Sequence, residues 1–183
     1  AVSFLKASGV TTGDDLGNFN PDSPITRQEF AVLLCRWLTP AQDTSSVELP
    51  FADNGSIADW AKDDVEMMES QGFLPESILT GDLNASISRK EMCYIAAYIF
   101  ASFGDGSGTP STTENAFTDT NDPVINFAAE NGIVSGYEDN TFRPDQLMTR
   151  QEFFKTIWTL MGLCYVSIDS LPKSDLSQFS DVG

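Results

Sequence analysis

One short pattern, met three times at near-equal spacing, constrains this chain more than anything else in it. The segments SPITRQEFAVLLCRWL at 23–38, ASISRKEMCYIAAYIF at 85–100 and QLMTRQEFFKTIWTLM at 146–161 each set a hydroxyl residue, an arginine and a glutamate before an apolar run. Their arginines, Arg27, Arg89 and Arg150, are 62 and 61 residues apart. Self-similarity at a near-fixed period marks a chain of supersecondary units that bury their apolar faces against one another. Upstream of two arginines stands a second shared element, GDDLGNFNPDSPITR at 13–27 and GYEDNTFRPDQLMTR at 136–150, in which a glycine and an acidic loop lead to Phe-x-Pro. The middle copy, TGDLNASISR at 80–89, lacks the Phe and the Pro. Phe-x-Asp segments open at Phe51 and Phe117, and Phe179-Ser180-Asp181 repeats that opening at the end of the sequence.

Each unit reads as helix, acidic turn-rich loop, helix. Ile57, Trp60, Ala61, Val65 and Met68 fall at helical spacing before Gly72, a C′ residue, and Gly9 and Gly132 end the matching helices. The second helix follows each arginine, with Phe30, Leu33, Leu34 and Trp37 on one apolar face, Met92, Ile95, Ala96 and Ile99 on the next, and Phe153, Ile157 and Leu160 on the third. No alternating strand pattern competes. Thr26-Arg27-Gln28-Glu29, Ser88-Arg89-Lys90-Glu91 and Thr149-Arg150-Gln151-Glu152 match the capping box, and Ile25 with Phe30, Ile87 with Met92 and Met148 with Phe153 match the hydrophobic staple. Capping accounts for the hydroxyl and the glutamate. It does not account for arginine at N1, against the positive end of the helix dipole. Two uses remain open: an anion site made of the guanidinium and unpaired helix-start amides, or an internal ion pair with a loop acid such as Asp22 or Asp145.

Charge and composition narrow the chemistry. Ten Lys and Arg against 27 Asp and Glu leave a formal charge of -17, with no histidine. No basic stripe offers nucleic acid or an anionic membrane a footing, and nucleophilic or zinc chemistry built on histidine is excluded. The acidic loops at Asp14-Asp15 and Glu138-Asp139 depart from the calcium-loop spacing, so no metal or cofactor is expected. A carboxylate-only glycosidase would need two acids singled out by position, and nothing singles out a pair. Cys35, Cys93 and Cys164 lie far apart in apolar stretches and read as buried, inert thiols. No apolar run is long enough for a membrane-spanning helix, and residues 1–20 carry no leader pattern, as in a mature or excised fragment. Trp60 is a core residue by its spacing or, near the helix start, an aromatic able to stack on a sugar; Trp37 and Trp158 read as packing residues.

These residues together resemble the S-layer homology repeat, with its Phe-x-Asp opening, Trp-bearing helix, Gly-rich loop ending Phe-x-Pro, and Ile-Thr-Arg-x-Glu helix start. The resemblance covers essentially the whole chain. It implies an all-α fold of tandem helix-loop-helix units in a pseudo-threefold, three-pronged spindle around a central helical bundle. The units are residues 1–40 (partial), 51–104 and 117–165, with a linker at 105–116 and a linker and further or permuted opening at 166–183. It also implies a non-catalytic module that anchors an exported protein to the bacterial cell wall or S-layer, without membrane insertion. Its partner would be a secondary cell-wall polysaccharide or peptidoglycan-linked glycan carrying a pyruvate ketal, held in grooves between prongs, with other S-layer proteins as further partners. The family's binding arginine falls on Arg27, Arg89 and Arg150 and its aromatic on Trp60, while Asp53 and Asp119 of the Phe-x-Asp openings complete the expected glycan-binding set. With net charge -17, binding an anionic polymer calls for locally positive pockets or bridging cations.

Several departures mark the limits of the match. In the third unit Gly132 follows Phe117 by 15 positions, against 21 from Phe51 to Gly72, which predicts a shortened first helix, and Asn126-Phe127 stands where a Trp is expected. The middle unit carries Gly72-Phe73-Leu74-Pro75 in place of the usual loop. The first unit begins inside its first helix, so residues 176–183 are expected to pack beside Ala1 to Gly9 if they complete it. The alternative reading is a degenerate scaffold of the same fold that serves protein or S-layer assembly without binding glycan.

Overall fold

The computed structural model describes residues 6, 10–11, 13, 18–38, 57–103 and 115–164. Asp53, the opening at Phe51, Gly9, the linker around 105–114 and the expected meeting of 176–183 with Ala1 to Gly9 lie outside the described residues. Among the described residues six helices are bounded, in order: α1 Arg27–Leu38, α2 Lys62–Ser70, α3 Glu76–Leu79, α4 Arg89–Phe103, α5 Pro123–Glu130 and α6 Arg150–Leu163. Among the described residues only isolated bridges, Pro24 with Thr149, Thr26 with Ser86 and Ser88 with Leu147, interrupt an all-α fold.

Those bridges mark the centre of the molecule. The amide of Ile25 donates to the carbonyl of Met148 at 3.0 Å, that of Met148 to Ile87 at 2.9 Å, and that of Ile87 to Ile25 at 3.0 Å. The result is a closed three-membered cycle of backbone bonds between segments far apart in sequence. The first amides of a helix have no intrahelical acceptor, and here the same cycle supplies them. Arg27 and Gln28 donate to Ala85 and Leu83, Arg89 and Lys90 to Gln146 and Pro144, and Arg150 and Gln151 to Ser23 and Pro21, all at 2.9–3.0 Å. Each long helix therefore starts on the loop of the next unit, and the third starts on the loop of the first.

All three capping boxes form. The N-cap amides of Thr26, Ser88 and Thr149 each donate to their glutamate's Oε2 at 2.9 Å, and the N3 amides return to the hydroxyls at 3.2, 3.2 and 3.3 Å. The staple pairs Ile25–Phe30, Ile87–Met92 and Met148–Phe153 are all buried. Below the cycle, the apolar faces read from the sequence meet in one core. Phe30 packs edge-on against Phe153 at 4.9 Å, joining α1 to α6, and Phe19 lies 5.0 Å from Phe154. Helix α1 packs on α2, and α4 packs on both α5 and α6. The short helices α2 and α5 thus each lean on the long helix of the preceding unit. Trp37 and Trp158 pack partly buried against this core, as their spacing predicts.

The short helices end alike. Gly72 and Gly132 have φ of +72° and +70°. The Phe73 amide reaches Met68 at 2.9 Å and the Ile133 amide reaches Ala128 at 2.8 Å, the long bond of a Schellman motif. Aligning the units on these ends corrects two expectations. Helix α5 has 8 residues against 9 in α2, so it is barely shortened; the missing residues come out of the segment leading from the Phe-x-Asp opening into the helix. The position matching Trp60, twelve before the glycine, is Thr120 and not Asn126-Phe127. Asn126 and Phe127 are buried, and the Asn126 side-chain oxygen accepts the Ala116 amide at 3.1 Å.

In the third unit the shared loop motifs hold one another. Phe117 lies 5.3 Å from Phe142, and the Asp119 carboxylate accepts the amides of Phe142 and Arg143 at 2.8 and 2.7 Å. The middle residue of Phe-x-Pro, Asn20 in one unit and Arg143 in another, adopts φ of +56° and +58°. The middle unit reaches the same end differently. Its short helix α3 places Ile78, and the following turn Leu83, fully in the core, while Gly81 occupies the position of the missing Phe. Cys35 and Cys93 are buried as expected, and burial pushes the Cys93 thiol up to about 12. Cys164 is only half-buried, at the C-cap of α6.

Gly136 is fixed by a close approach: a Cβ there would lie 2.4 Å from the Phe117 ring and 2.8 Å from the Thr141 carbonyl oxygen. Gly132 has open space and only its positive φ at stake. Gly136→Ala is expected to lower stability by about 1–3 kcal/mol and Gly132→Ala by about 1 kcal/mol, read as urea midpoints; the reverse order would contradict this packing.

Candidate functional site

Arginine at N1 finds its explanation across the unit boundary. The Arg27 guanidinium donates from Nε and Nη2 to Glu91 Oε1 at 3.2 and 2.8 Å, and from Nη1 to the Asp82 carbonyl at 2.9 Å. Glu91 is the capping-box glutamate of α4, so one carboxylate closes its own helix with Oε2 and holds the preceding unit's arginine with Oε1. Arg89 repeats the arrangement one unit on. It is buried, its Nε donates to the Phe142 carbonyl at 2.9 Å and its Nη2 to Ser135 at 3.1 Å, and Nη1 lies 3.6 Å from Glu152 Oε1. Its guanidinium also stacks 4.7 Å from the Phe142 ring and 4.9 Å from Tyr137. Arg150 differs. Its Nε donates to the Phe19 carbonyl at 2.8 Å and the guanidinium sits 5.3 Å from the Phe19 ring, yet among the described residues no carboxylate pairs with it.

Of the two uses left open by the sequence, the internal ion pair holds for Arg27 and Arg89, although the partners are capping glutamates and not Asp22 or Asp145. Asp22 instead accepts from the Gln151 side chain at 2.6 Å. The helix-start amides are not available to an external anion, because loop carbonyls and cap hydroxyls take them at all three starts. The residue after each arginine, overlooked in the motif, also bridges units. The Gln28 amide binds Asn84 and accepts the Ala58 amide at 2.9 Å, and Lys90 Nζ lies 3.3 Å from Asp122. Only a non-local contact distinguishes these residues, so no spacing in the sequence signals them.

Two clefts open beside the paired arginines. One, of about 390 Å³, lies between α4, α6 and the loop after α5, lined by Arg89, Glu152, Tyr137, Ser135, Lys155 and Thr156. The other, of about 350 Å³, is lined by Arg27, Glu91, Ser88, Lys90, Tyr94 and Leu147. Each holds a guanidinium in its wall and hydroxyls and an aromatic ring around it, which suits a polar ligand with an anionic group and an apolar face. The first carries two cations, Arg89 and Lys155, against the single carboxylate of Glu152. Arg27 and Arg89 thus each line a cleft, while Arg150, Trp60 and Asp119 line neither. Trp60 lies in the turn before α2 and is 57% exposed, two residues after Ala58, whose amide donates to Gln28 Oε1 at 2.9 Å. Both oxygens of Asp119 are engaged by loop amides.

The wall of the second cleft is tied to the third unit by a small charged cluster. The Tyr94 hydroxyl binds Asp122, which also caps α5 through the Val124 amide at 3.0 Å and faces Lys90. Burial pushes the Asp122 carboxyl up, but the Tyr94 hydroxyl, the Val124 and Ile125 amides and Lys90 more than offset it, leaving it below its ordinary value. The Phe142 amide, with that of Arg143, holds Asp119 low in the same way.

The chain resembles known proteins in two ways. The family model of the S-layer homology domain matches residues 1–31 and 118–154. Curated relatives include an amylopullulanase of Thermoanaerobacterium thermosulfurigenes, 27% identical over 87% of this chain and 9% of that protein. The exoglucanase XynX of Acetivibrio thermocellus is 26% identical over 87% of this chain and 15% of its own length. A surface-layer 125 kDa protein of Lysinibacillus sphaericus is 25% identical over 99% of this chain and 15% of its own. The chain therefore spans between about a tenth and a sixth of the length of these relatives.

Because Asp119 and Asp122 are both held below their ordinary values, the stability they contribute is present above the unfolded carboxyl value near 4 and is lost as pH falls through the folded values. Urea midpoints measured from pH 6 down to about 2.5 are expected to fall less steeply in Asp119→Asn and Asp122→Asn than in the parent; parallel curves would contradict the assignment.

Proposed function

This chain carries S-layer homology repeats, and on that premise we propose that it anchors its parent protein to the bacterial cell wall by binding an acidic secondary polysaccharide that bears a pyruvate ketal. It acts outside the cell, as a binding module and not as a catalyst. The observation that carries this reading is the Arg89 cleft, where a guanidinium seated in the wall, a nearby ammonium at Lys155 and the Tyr137 ring converge on space large enough for a sugar unit. A carboxylate on the sugar would meet Arg89 and Lys155, and the ring face would lie against Tyr137. The Arg27 cleft is its counterpart one unit earlier. Arg150 and Trp60 stand outside both clefts and are assigned to the same ligand by their place in the repeat. Asp53 and Asp119 complete the assigned set, Asp119 by holding the loop and not by touching sugar.

The three-way exchange of helix starts supports a pseudo-threefold spindle, with the long helices as its central bundle and units 1–40, 51–104 and 117–165 as its repeats. That the same segment matches two glycan hydrolases and a surface-layer protein, each over a small share of its length, supports a portable anchor and not an activity of its own. A second reading, a scaffold for assembly with other S-layer proteins, draws on the internal pairing of Arg27 and Arg89 and on the exposed rings of Tyr98 and Phe103.

Co-sedimentation with purified cell-wall sacculi separates the two. The anchor predicts binding that is lost when hydrofluoric acid removes the secondary polymer and that weakens about tenfold or more in Arg89→Ala, the loss of about 1.4 kcal/mol. Absence of binding to either preparation would favour the scaffold.

A further inference from the structure

The two cleft arginines are occupied by carboxylates of the protein itself. We infer that the capping-box glutamates Glu91 and Glu152 act as built-in competitors that hold the arginine in a closed form, and that a carboxylate ligand must displace Oε1 from the guanidinium to bind. This inference rests on the anchoring function proposed above. The division of labour within each glutamate makes displacement feasible without unfolding. Glu91 Oε2 accepts the Ser88 amide and hydroxyl, both at 2.9 Å, and stays on the cap, while Oε1 alone engages Arg27. Glu152 is divided likewise, with Oε2 on Thr149 and Oε1 facing Arg89 at 3.6 Å and the Tyr137 hydroxyl at 3.5 Å.

The three junctions form a graded series. Arg27 is held by two bonds at 2.8 and 3.2 Å, Arg89 by one looser pair, and Arg150 by no carboxylate among the described residues, although Glu29 forms the same cap. An incoming anion at Arg27 meets a guanidinium already satisfied and a second negative charge beside it, whereas at Arg150 no carboxylate of the described residues competes. Like charges about one cation raise each other's energy. The glutamate thereby sets which arginines respond at low ligand and which only when the ligand is abundant, a specificity determinant assigned by geometry and not by the arginine alone. Glutamine suits the test, because it serves the capping box as glutamate does while removing the competing charge.

The experiment follows the arginine Nε–H resonances of the protein during titration with a methyl glycoside carrying a pyruvate ketal. In the parent, Arg89, held by the looser pair, is expected to shift at a lower concentration than Arg27. Glu91→Gln should lower the Arg27 midpoint by about tenfold, as expected for removing one partly buried competing charge, and leave that of Arg150 in place. Glu29→Gln, at the junction without a pair, should leave all midpoints within about twofold. A parent in which all three arginines share one midpoint, or a Glu91→Gln protein that still binds with an unmoved Arg27 midpoint, would overturn the competitor and leave the anchor standing. Absence of any arginine shift, with no binding to sacculi, would overturn both.

Discussion

The structure depends on the closed exchange of backbone bonds among Ile25, Ile87 and Met148. A helix start normally leaves its first amides to water or a side chain; here each long helix begins on the carbonyls of a neighbouring unit, so no unit completes its own helix. That single constraint explains why the units share a period and why the staple residues are fully buried. It also explains why the arginine follows the cap. Placed at N1, its side chain leaves the helix beside the neighbour's loop, within reach of that loop's carbonyl and, at Arg27 and Arg89, of that neighbour's capping glutamate.

The clefts are a consequence of the same geometry. Because each helix start sits on the next unit, the arginine and the glutamate that meet there belong to different units, and the space beside them is a boundary between repeats. Asp122 and Lys90 extend this linkage to α5, and Asp119 ties the opening of the third unit to its Phe-x-Pro loop. Residues that look like candidate ligands by type thus divide between those that line space and those that hold the walls of that space in place. With a formal charge of -17 the division matters, since among the described residues cations gather beside open space at Arg89 with Lys155 and at Arg27 with Lys90.

Local interactions were legible in the sequence and distant ones were not. The capping boxes, the staples, the apolar faces of the long helices and the glycine ends at Gly72 and Gly132 lie within a few residues of one another, so their spacing carries them, and these are present in the described residues. The partner of Arg27 is 64 residues away, and nothing in the spacing distinguishes Glu91 from Asp22 as its acid. The unit lengths misled about α5 because a deletion can be absorbed in a connecting segment as well as in a helix. Trp60 shared its stripe with core residues, but it lies in the turn before the helix, where helical spacing no longer decides which side chains face inward. Helix α3 was hidden by its four-residue length and by the loss of the Phe it compensates.

Amide hydrogen exchange at Ile25, Ile87 and Met148 tests the closed cycle most directly. If the cycle holds the repeats together, the three amides exchange only through global unfolding, with equal protection that falls together as denaturant is added. An Ile25 amide exchanging about 100-fold faster than that of Met148 would show that the first repeat opens by itself, and the cycle would not be the interaction on which the fold and its clefts depend.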